Sequence, residues 1–421
     1  MKLNQNLFKS SFIYVISNFS IAIIPFTMLP ILSRYLTPEE YGVIAMFITI
    51  VAFFGAFTGL SSNGAIMVRF FDKGPFQINQ YISSSIFILV LSTSIILLIV
   101  FLFGSLFEEY TGLTKTWLFI ACLVSFSQFI VQIMLTIFQA TDNPIKYAFL
   151  RFVQAIIEAS LSLTLVVLFL MSWEGRLIGI SAVWFLVSSF VIIYMLRKKW
   201  LIPSVGKADM RDMLRYGLPL MPHTIGALFL GTMDRFLVIN ILDIASAGIY
   251  MAAAQIGLIL NMAVDAFNRA FAPWLMNYLS NRNHQDDIKL VKYTYIYFII
   301  VLSIAYILGA LSEYLVYFLL GEEFYGAIPL LKFIFYGNAF IGMYQMVNKY
   351  IFFTRKTELI SMVTIFVGLI TLLLSWYLIT QEGLIGAAKA WMFGQMIMFF
   401  FTWILSNKVN KMPWFLQDAL K

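Results

Sequence analysis

Residues 79–103 run for 25 positions without one charged side chain, through "SIFILVLSTSIILLIVFLFG" at 85–104. As a helix rising 1.5 Å per residue this run is about 37 Å long, enough to cross a hydrocarbon core about 30 Å thick. Lipid offers no partner to backbone N–H and C=O groups, so a spanning segment is either a helix or a strand of a closed barrel. The run lacks the period-2 alternation of a barrel strand, which leaves the helix. Composition extends this to the whole chain: of 421 residues, 61% are hydrophobic and 12% charged, against roughly 25% charged in soluble domains. The expected fold class is an all-α polytopic membrane protein.

Apolar windows bounded by polar loops predict twelve spans, near 11–33, 41–64, 79–103, 116–139, 146–171, 177–196, 213–239, 245–268, 291–311, 327–350, 358–379 and 384–406. The first run passes the length of a secretory h-region and has no A-x-A-like cleavage site, so it is read as a retained span. Positively charged loops stay cytoplasmic. With the amino terminus inside, inner segments hold 22 of the 28 Lys and Arg residues, and outer ones only Arg34, Lys115, Arg176 and Arg235. Both termini are therefore expected in the cytoplasm.

"EGRLIGISAVW" (174–184) and "EGLIGAAKAW" (382–391) open the sixth and twelfth spans. With one residue removed, Leu177, Ile178, Gly179 and Trp184 fall on Leu384, Ile385, Gly386 and Trp391. Gly42 and Gly248, at the start of spans two and eight, stand at nearly the same offset. Six spans per half is an even number, so the halves enter the membrane in the same direction, as a parallel repeat. The expected organisation is a six-helix lobe over 1–200 and a second over 201–421, enclosing a central cavity. The basic stretch "RKKWLIPSVGKADMRDMLRY" (197–216) is the linker between them.

Several chemistries lack their residues. Cys122 is the only cysteine, and His223 and His284 are far apart, so neither a disulfide nor a metal site is expected. No G-x-x-x-x-G-K-[ST] occurs, "VGKAD" at 205–209 failing it, so no ATP site or other cofactor is expected. Basic residues follow topology, which gives nucleic-acid binding no support.

Ionisable groups inside a bilayer are costly and mark cavities or partners. Pro25 and Pro30 in span one, with Pro219 and Pro222 in span seven, suggest kinked helices at equivalent places. His223 reads either as a neutral histidine bonded to a carbonyl or as a proton-linked group. Glu158 in span five has Arg151 and Gln154 on its own helical face; it reads as an ion-coupling acid or as a structural one. Asp265 and Arg269, four apart in span eight, are placed to pair on one face, and Asp265 is a further ion-coupling candidate. Arg69, at the inner end of span two, is the repeat-related neighbour of Arg269. Two arginines there offer planar forks to a phosphate, or snorkel to anionic head groups.

Four stretches carry a resemblance: "LSRYLTPEEYGVI", "GLSSNGAIMVRFF", "QATDNPIKY", and "MDRFLVINILDIASAGIYMAA" from span seven into eight. The chain resembles, over essentially its whole length, polysaccharide export flippases of the multidrug/oligosaccharidyl-lipid/polysaccharide superfamily, most closely the O-antigen (Wzx-type) branch. The resemblance implies alternating-access movement of an undecaprenyl-diphosphate-linked oligosaccharide across the bacterial plasma membrane. The driving force would be an ion gradient, the membrane potential or consumption of the product, and membrane lipids and a glycan polymerase of the same pathway would be partners. It makes Arg69, Arg269 and Arg151 candidates for the diphosphate. Arg34, Asp234 and Arg235 match positions of that family; at the outer ends of spans one and seven they read as an inter-lobe gate or as plain interfacial anchors. A drug exporter of the same superfamily would want acids at cavity depth, and a membrane-embedded glycan-modifying transferase a catalytic acid or histidine on a long loop.

Overall fold

The computed structural model describes residues 23–71, 77–280, 284–354 and 357–414, and these hold helices and turns with no strand among them. The helices are α1 (23–35), α2 (Pro38–Phe57), α3 (Ser62–Phe71), α4 (Ile78–Thr111), α5 (Lys115–Ala140), α6 (Pro144–Leu163), α7 (Ser172–Arg197), α8 (Lys207–Gly217), α9 (Met221–Ile241), α10 (Ile244–Ser280), α11 (His284–Ala310), α12 (Ser312–Leu319), α13 (Ile328–Phe353), α14 (Thr357–Glu382) and α15 (Leu384–Val409). Ten helical segments among the described residues are long and apolar enough to cross a membrane. They coincide with predicted spans two to six and eight to twelve. Span seven is α9. Span one begins outside the described residues and continues as α1.

Local chemistry sets the ends. Thr37 accepts from the Glu40 amide while Glu40 caps the Thr37 amide, and Pro38 occupies the first position of α2, where its missing N–H costs nothing. The α4 helix stops at Gly112, whose φ of 69° is left-handed. Its sequel α5 is the centre of the first half, packed by α2, α3, α4 and α7; in the second half α13 is packed by α10, α11 and α15. Spans four and ten are equivalent under the repeat, so both halves are built around the same member.

Helices in lipid gain little from burying apolar surface against each other, and close approach at small residues matters more. The repeat landmarks are such points. A Cβ on Gly179 of α7 would lie 2.3 Å from the Ser162 hydroxyl of α6, and one on Gly386 of α15 would lie 2.0 Å from the Leu378 carbonyl of α14. In each half the sixth span thus sits on the fifth through the same glycine.

The breaks lie elsewhere than the prolines suggested. The described part of α1 stays helical through Pro25 and Pro30. Pro219 sits in a 3-10 turn, Leu218–Leu220, and Pro222 follows at the second position of α9, where a missing N–H is tolerated. Span two is the one that breaks: Gly59, Leu60 and Ser61 all have left-handed φ, 67°, 50° and 58°, between α2 and α3. Span five ends in a π turn, Thr164–Leu168. Glycine–serine runs and π turns interrupt helices as prolines do. Hydroxyls gather around the first break: Ser92 accepts from the freed Gly59 amide at 2.9 Å, Thr58 donates to Phe54 O at 2.6 Å, and Ser62 and Ser85 bond at 2.7 Å.

The chain divides into two compact units, Met1–Leu228 and Phe229–Lys421. The division falls inside α9, and the linker helix α8 belongs to the first unit. Its Met213 is in that unit's core with Ala65, Ile66, Tyr81 and Ile82.

Candidate functional site

At the predicted inner end of the first unit, α3, α4 and α8 converge. Arg69 donates from Nε to Asp212 Oδ2 at 2.8 Å and from Nη2 to Oδ1 at 2.5 Å, and the Tyr81 hydroxyl donates to the same Oδ2 at 2.8 Å. Arg69 was singled out as a fork for phosphate; in the structure that fork holds a carboxylate in the two-pronged geometry arginine offers to either anion. Its hydrogen bonds, with a smaller contribution from Tyr81, hold the Asp212 carboxyl below the usual carboxylate range. The seat is partly open, the Arg69 and Asp212 side chains being 26% and 22% exposed. The α8 sequence "KADMRDMLRYG" buries Asp209, Met213 and Gly217 at intervals of four and leaves Lys207, Arg211 and Arg215 exposed. This amphipathic period is the signal by which Asp212 could have been found within a stretch read only as a basic linker.

A second constellation joins α6 to α7. Arg151 donates to Gln154 Oε1 at 3.3 Å, Gln154 donates to Glu158 Oε2 at 3.2 Å, Arg176 pairs with Glu158 Oε1 at 3.2 Å, and Arg176 Nη1 donates to Ser162 at 2.7 Å. The face of Arg151, Gln154 and Glu158 read from the sequence is present. Its missing member is Arg176, counted as outer-loop charge but only 9% exposed. The clue was its place between Gly175 and Gly179, a small-xxx-small spacing that draws α7 against α6. Close by, a recess of 540 Å³ lies along α5, α6 and α7, walled by Phe138, Ile145, Phe149, Leu186 and Phe190 with Lys146 on its lining.

The second unit carries a polar ladder between α10 and α13. Asn261 donates to Asn338 at 3.2 Å, Asn338 donates to the Gly257 carbonyl at 3.1 Å, and Gln345 donates to Asp265 Oδ1 at 2.5 Å. Positions 257, 261, 265 and 269 form one helical face. Asp265 meets Gln345; no ion pair joins it to Arg269 among the described residues. That corrects the i,i+4 pairing expected from the sequence: Gln345 comes from a packed neighbour, whereas Arg269 is exposed. The charge of Lys349 senses both Asp265 and Arg269. Gln345, Asn338 and Lys349 were missed, although their spacing of seven and four, one helical face, in "GNAFIGMYQMVNKY" was readable.

The remaining candidates are placed within their own units. Arg34 donates to the Pro30 carbonyl at 2.8 Å in the first unit. In the second, Asp234 accepts from the Tyr250 hydroxyl at 2.6 Å and from the Arg235 amide at 2.9 Å. His223 occupies the first turn of α9, and its side chain, like that of Pro222, lies outside the described residues. No group of three or more His, Cys, Asp or Glu side chains is gathered as a metal would need among the described residues.

Comparison with known proteins places this architecture. A Lsg-locus protein of Haemophilus influenzae is 25% identical over 362 residues, covering 85% of this chain and 87% of the relative. Among solved structures, the lipid II flippase MurJ in an inward closed conformation matches with a TM-score of 0.76 at 15% identity, over 94% of this chain and 87% of that one. An inward-facing multidrug resistance MATE transporter matches with a TM-score of 0.73 at 14% identity, over 93% and 96%. At these identities the two structures establish a shared fold, that of an all-helical multi-pass membrane protein with ten spanning helices among the described residues. Residues 7–279 match the family described as polysaccharide biosynthesis protein, and the chain belongs to that family.

Proposed function

We propose that this protein is a flippase that carries an undecaprenyl-diphosphate-linked oligosaccharide from the cytoplasmic to the periplasmic leaflet of the bacterial plasma membrane by alternating access, with both termini cytoplasmic. The observation that carries the reading is the Arg69 fork, a guanidinium at the predicted inner end that already binds an anion through two parallel hydrogen bonds. Family membership and the fold shared with a lipid II flippase support it. A diphosphate faces a prohibitive solvation cost in hydrocarbon and needs fixed positive charge along its route. Arg69, Arg269 and Arg151 supply that charge, while the isoprenoid tail stays in lipid or in apolar recesses such as that beside Lys146. An ion gradient or the membrane potential supplies the energy.

The test is deletion of the gene in its host. The reading expects surface glycan to fall and a lipid-linked oligosaccharide to accumulate, with recovery on complementation by wild-type protein and only in part by Arg69→Lys. Unchanged surface glycan would refute it, and the sugars of the accumulated lipid would say whether O-antigen, capsule or exopolysaccharide is served. The fold shared with a multidrug transporter favours a second reading, export of small molecules. That reading expects the deletion to raise dye retention and leave the glycan intact.

A further inference from the structure

We propose that Asp212 is an internal substitute for the substrate's phosphate: Arg69 and Tyr81 form one anion seat, and the linker helix α8 fills it in the resting protein. The inference rests on the flippase reading and adds to it the second donor of the seat and the device that regulates entry.

Three donors converge on the Asp212 carboxylate, two from Arg69 and one from Tyr81. A phosphate presents the same pair of oxygens to a guanidinium, with a further lone pair for a hydroxyl. Tyr81 is fully buried, so its hydroxyl is held in place for whichever anion occupies the seat.

The acid is delivered by a tethered strap. Upstream of α8, the Ile202 amide donates to Ser83 at 2.9 Å and the Gly206 amide to Ser84 at 3.0 Å, both on the first turns of α4. A Cβ on Gly206 would lie 2.3 Å from Asp209 Oδ2 and 2.5 Å from Gln80 Nε2. Downstream, Gly217 sits against the Leu60 carbonyl, where a Cβ would come within 2.0 Å. Asp212 lies between these anchors.

Opposite the strap, Arg69 rides on a half-helix that can move. The α3 helix hangs from three consecutive left-handed residues, Gly59, Leu60 and Ser61, two of which bear side chains that disfavour that conformation. Discontinuous helices recur at the binding sites of transporters. Displacement of Asp212 from the seat, with α3 adjusting at this break, turns the Arg69 and Tyr81 donors onto a phosphate. No bond is made or broken in the exchange; one anion replaces another.

The probe is farnesyl diphosphate bound to the full-length protein in nanodiscs. A ligand that must displace an internal occupant loses affinity by the fraction of open seats, so a seat filled nine-tenths of the time costs about tenfold. Asp212→Asn is expected to tighten binding about tenfold. In that background Tyr81→Phe is expected to weaken it several-fold, and Arg69→Ala to abolish it in either background. A second arm closes the seat: Gly64→Cys with Tyr216→Cys joins α3 to α8, since a Cβ on Gly64 lies 3.1 Å from the Tyr216 ring. Bridging the pair with a short thiol-cleavable cross-linker is expected to cut binding at least tenfold, with recovery on reduction; the native Cys122 is buried.

Unchanged or weaker binding in Asp212→Asn with binding still lost in Arg69→Ala overturns the strap and leaves the Arg69 site standing. Full binding in Arg69→Ala overturns the phosphate reading of Arg69 itself, and the strap with it. If Asp212→Asn does not fold, the cross-link decides alone, and unchanged binding in the bridged protein overturns the proposal.

Discussion

The two units solve the problem of charge inside a membrane protein differently. In the first, Asp212 and Glu158 each meet an arginine, Arg69 and Arg176, with further hydrogen bonds from Tyr81 and Gln154. In the second, Asp234 and Asp265 meet neutral donors, Tyr250 and Gln345. A charged pair is easy to break and costly once broken, because the abandoned partner is left desolvated. A neutral donor leaves less behind. The buried acids of the first unit are therefore held by opposite charge, whereas in the second the more exposed Lys389 pairs with Glu382, and Asp265, Arg269 and Lys349 lie near one another without a closed ion pair among them.

The largest break in this contrast should come from Arg176→Met. It strands Glu158, whose pair is mostly buried at 10% and 18% side-chain exposure, and should cost about 3 kcal/mol of unfolding free energy in mixed micelles. Adding Glu158→Met should restore most of it; a tolerated single variant would remove the contrast. Next are the repeat glycines. Gly386→Ala pushes a methyl onto backbone alone, the Leu378 carbonyl at 2.0 Å, and Gly179→Ala mainly onto the Ser162 hydroxyl at 2.3 Å, with the Ser162 Cα at 2.9 Å. Overpacking costs about 1–3 kcal/mol, and since a side chain yields more readily than backbone, Gly386→Ala should lower the melting temperature more than Gly179→Ala. Equal losses would mean the two contacts are interchangeable.

Asp265→Asn should cost less than about 1 kcal/mol in the same titration, because Gln345 keeps a neutral partner. A loss matching that of Arg176→Met would place a hidden counter-charge in the second unit. The smallest effect concerns pH. The Asp212 carboxyl is depressed, first by Arg69 and also by Tyr81 and the nearby Arg215. Its contribution is therefore complete above the ordinary carboxylate value of about 3.9 and is lost only as pH falls through the lower folded value. Farnesyl diphosphate affinity should not change through Asp212 between about pH 5 and 8; a rise in affinity on acidification to pH 5 would show the acid titrating there.

Much of this was legible in the chain. Apolar length and lysine–arginine asymmetry depend on sequence alone, which is why ten predicted spans coincide with ten helices of the structure. The Leu-Ile-Gly repeat was legible too, because a glycine at a close helix contact leaves a mark no other residue can replace. Breaks were misassigned: proline is a conspicuous signal, but Pro219 and Pro222 sit where a helix starts, while "TGLSS" bends through glycine and hydroxyls that read as ordinary polar residues. Partners were the least legible. Arg69 and Asp212 are 143 residues apart, and nothing local distinguishes an acid that closes a seat from one that solubilises a loop. Arg176 was misplaced for the reverse reason, being counted with a loop when packing drew it inside.

The most direct test of the central claim is translocation in proteoliposomes carrying only this protein and a polyprenyl-diphosphate-linked sugar with a fluorophore on the sugar, read by a quencher that cannot cross the bilayer. The account predicts that wild-type protein raises the quenchable fraction above the half expected for a static, symmetric label, that Arg69→Ala does not, and that Arg69→Lys lies between. A quenchable fraction that stays at one half with folded wild-type protein under an imposed ion gradient and membrane potential, or full activity in Arg69→Ala, would contradict it.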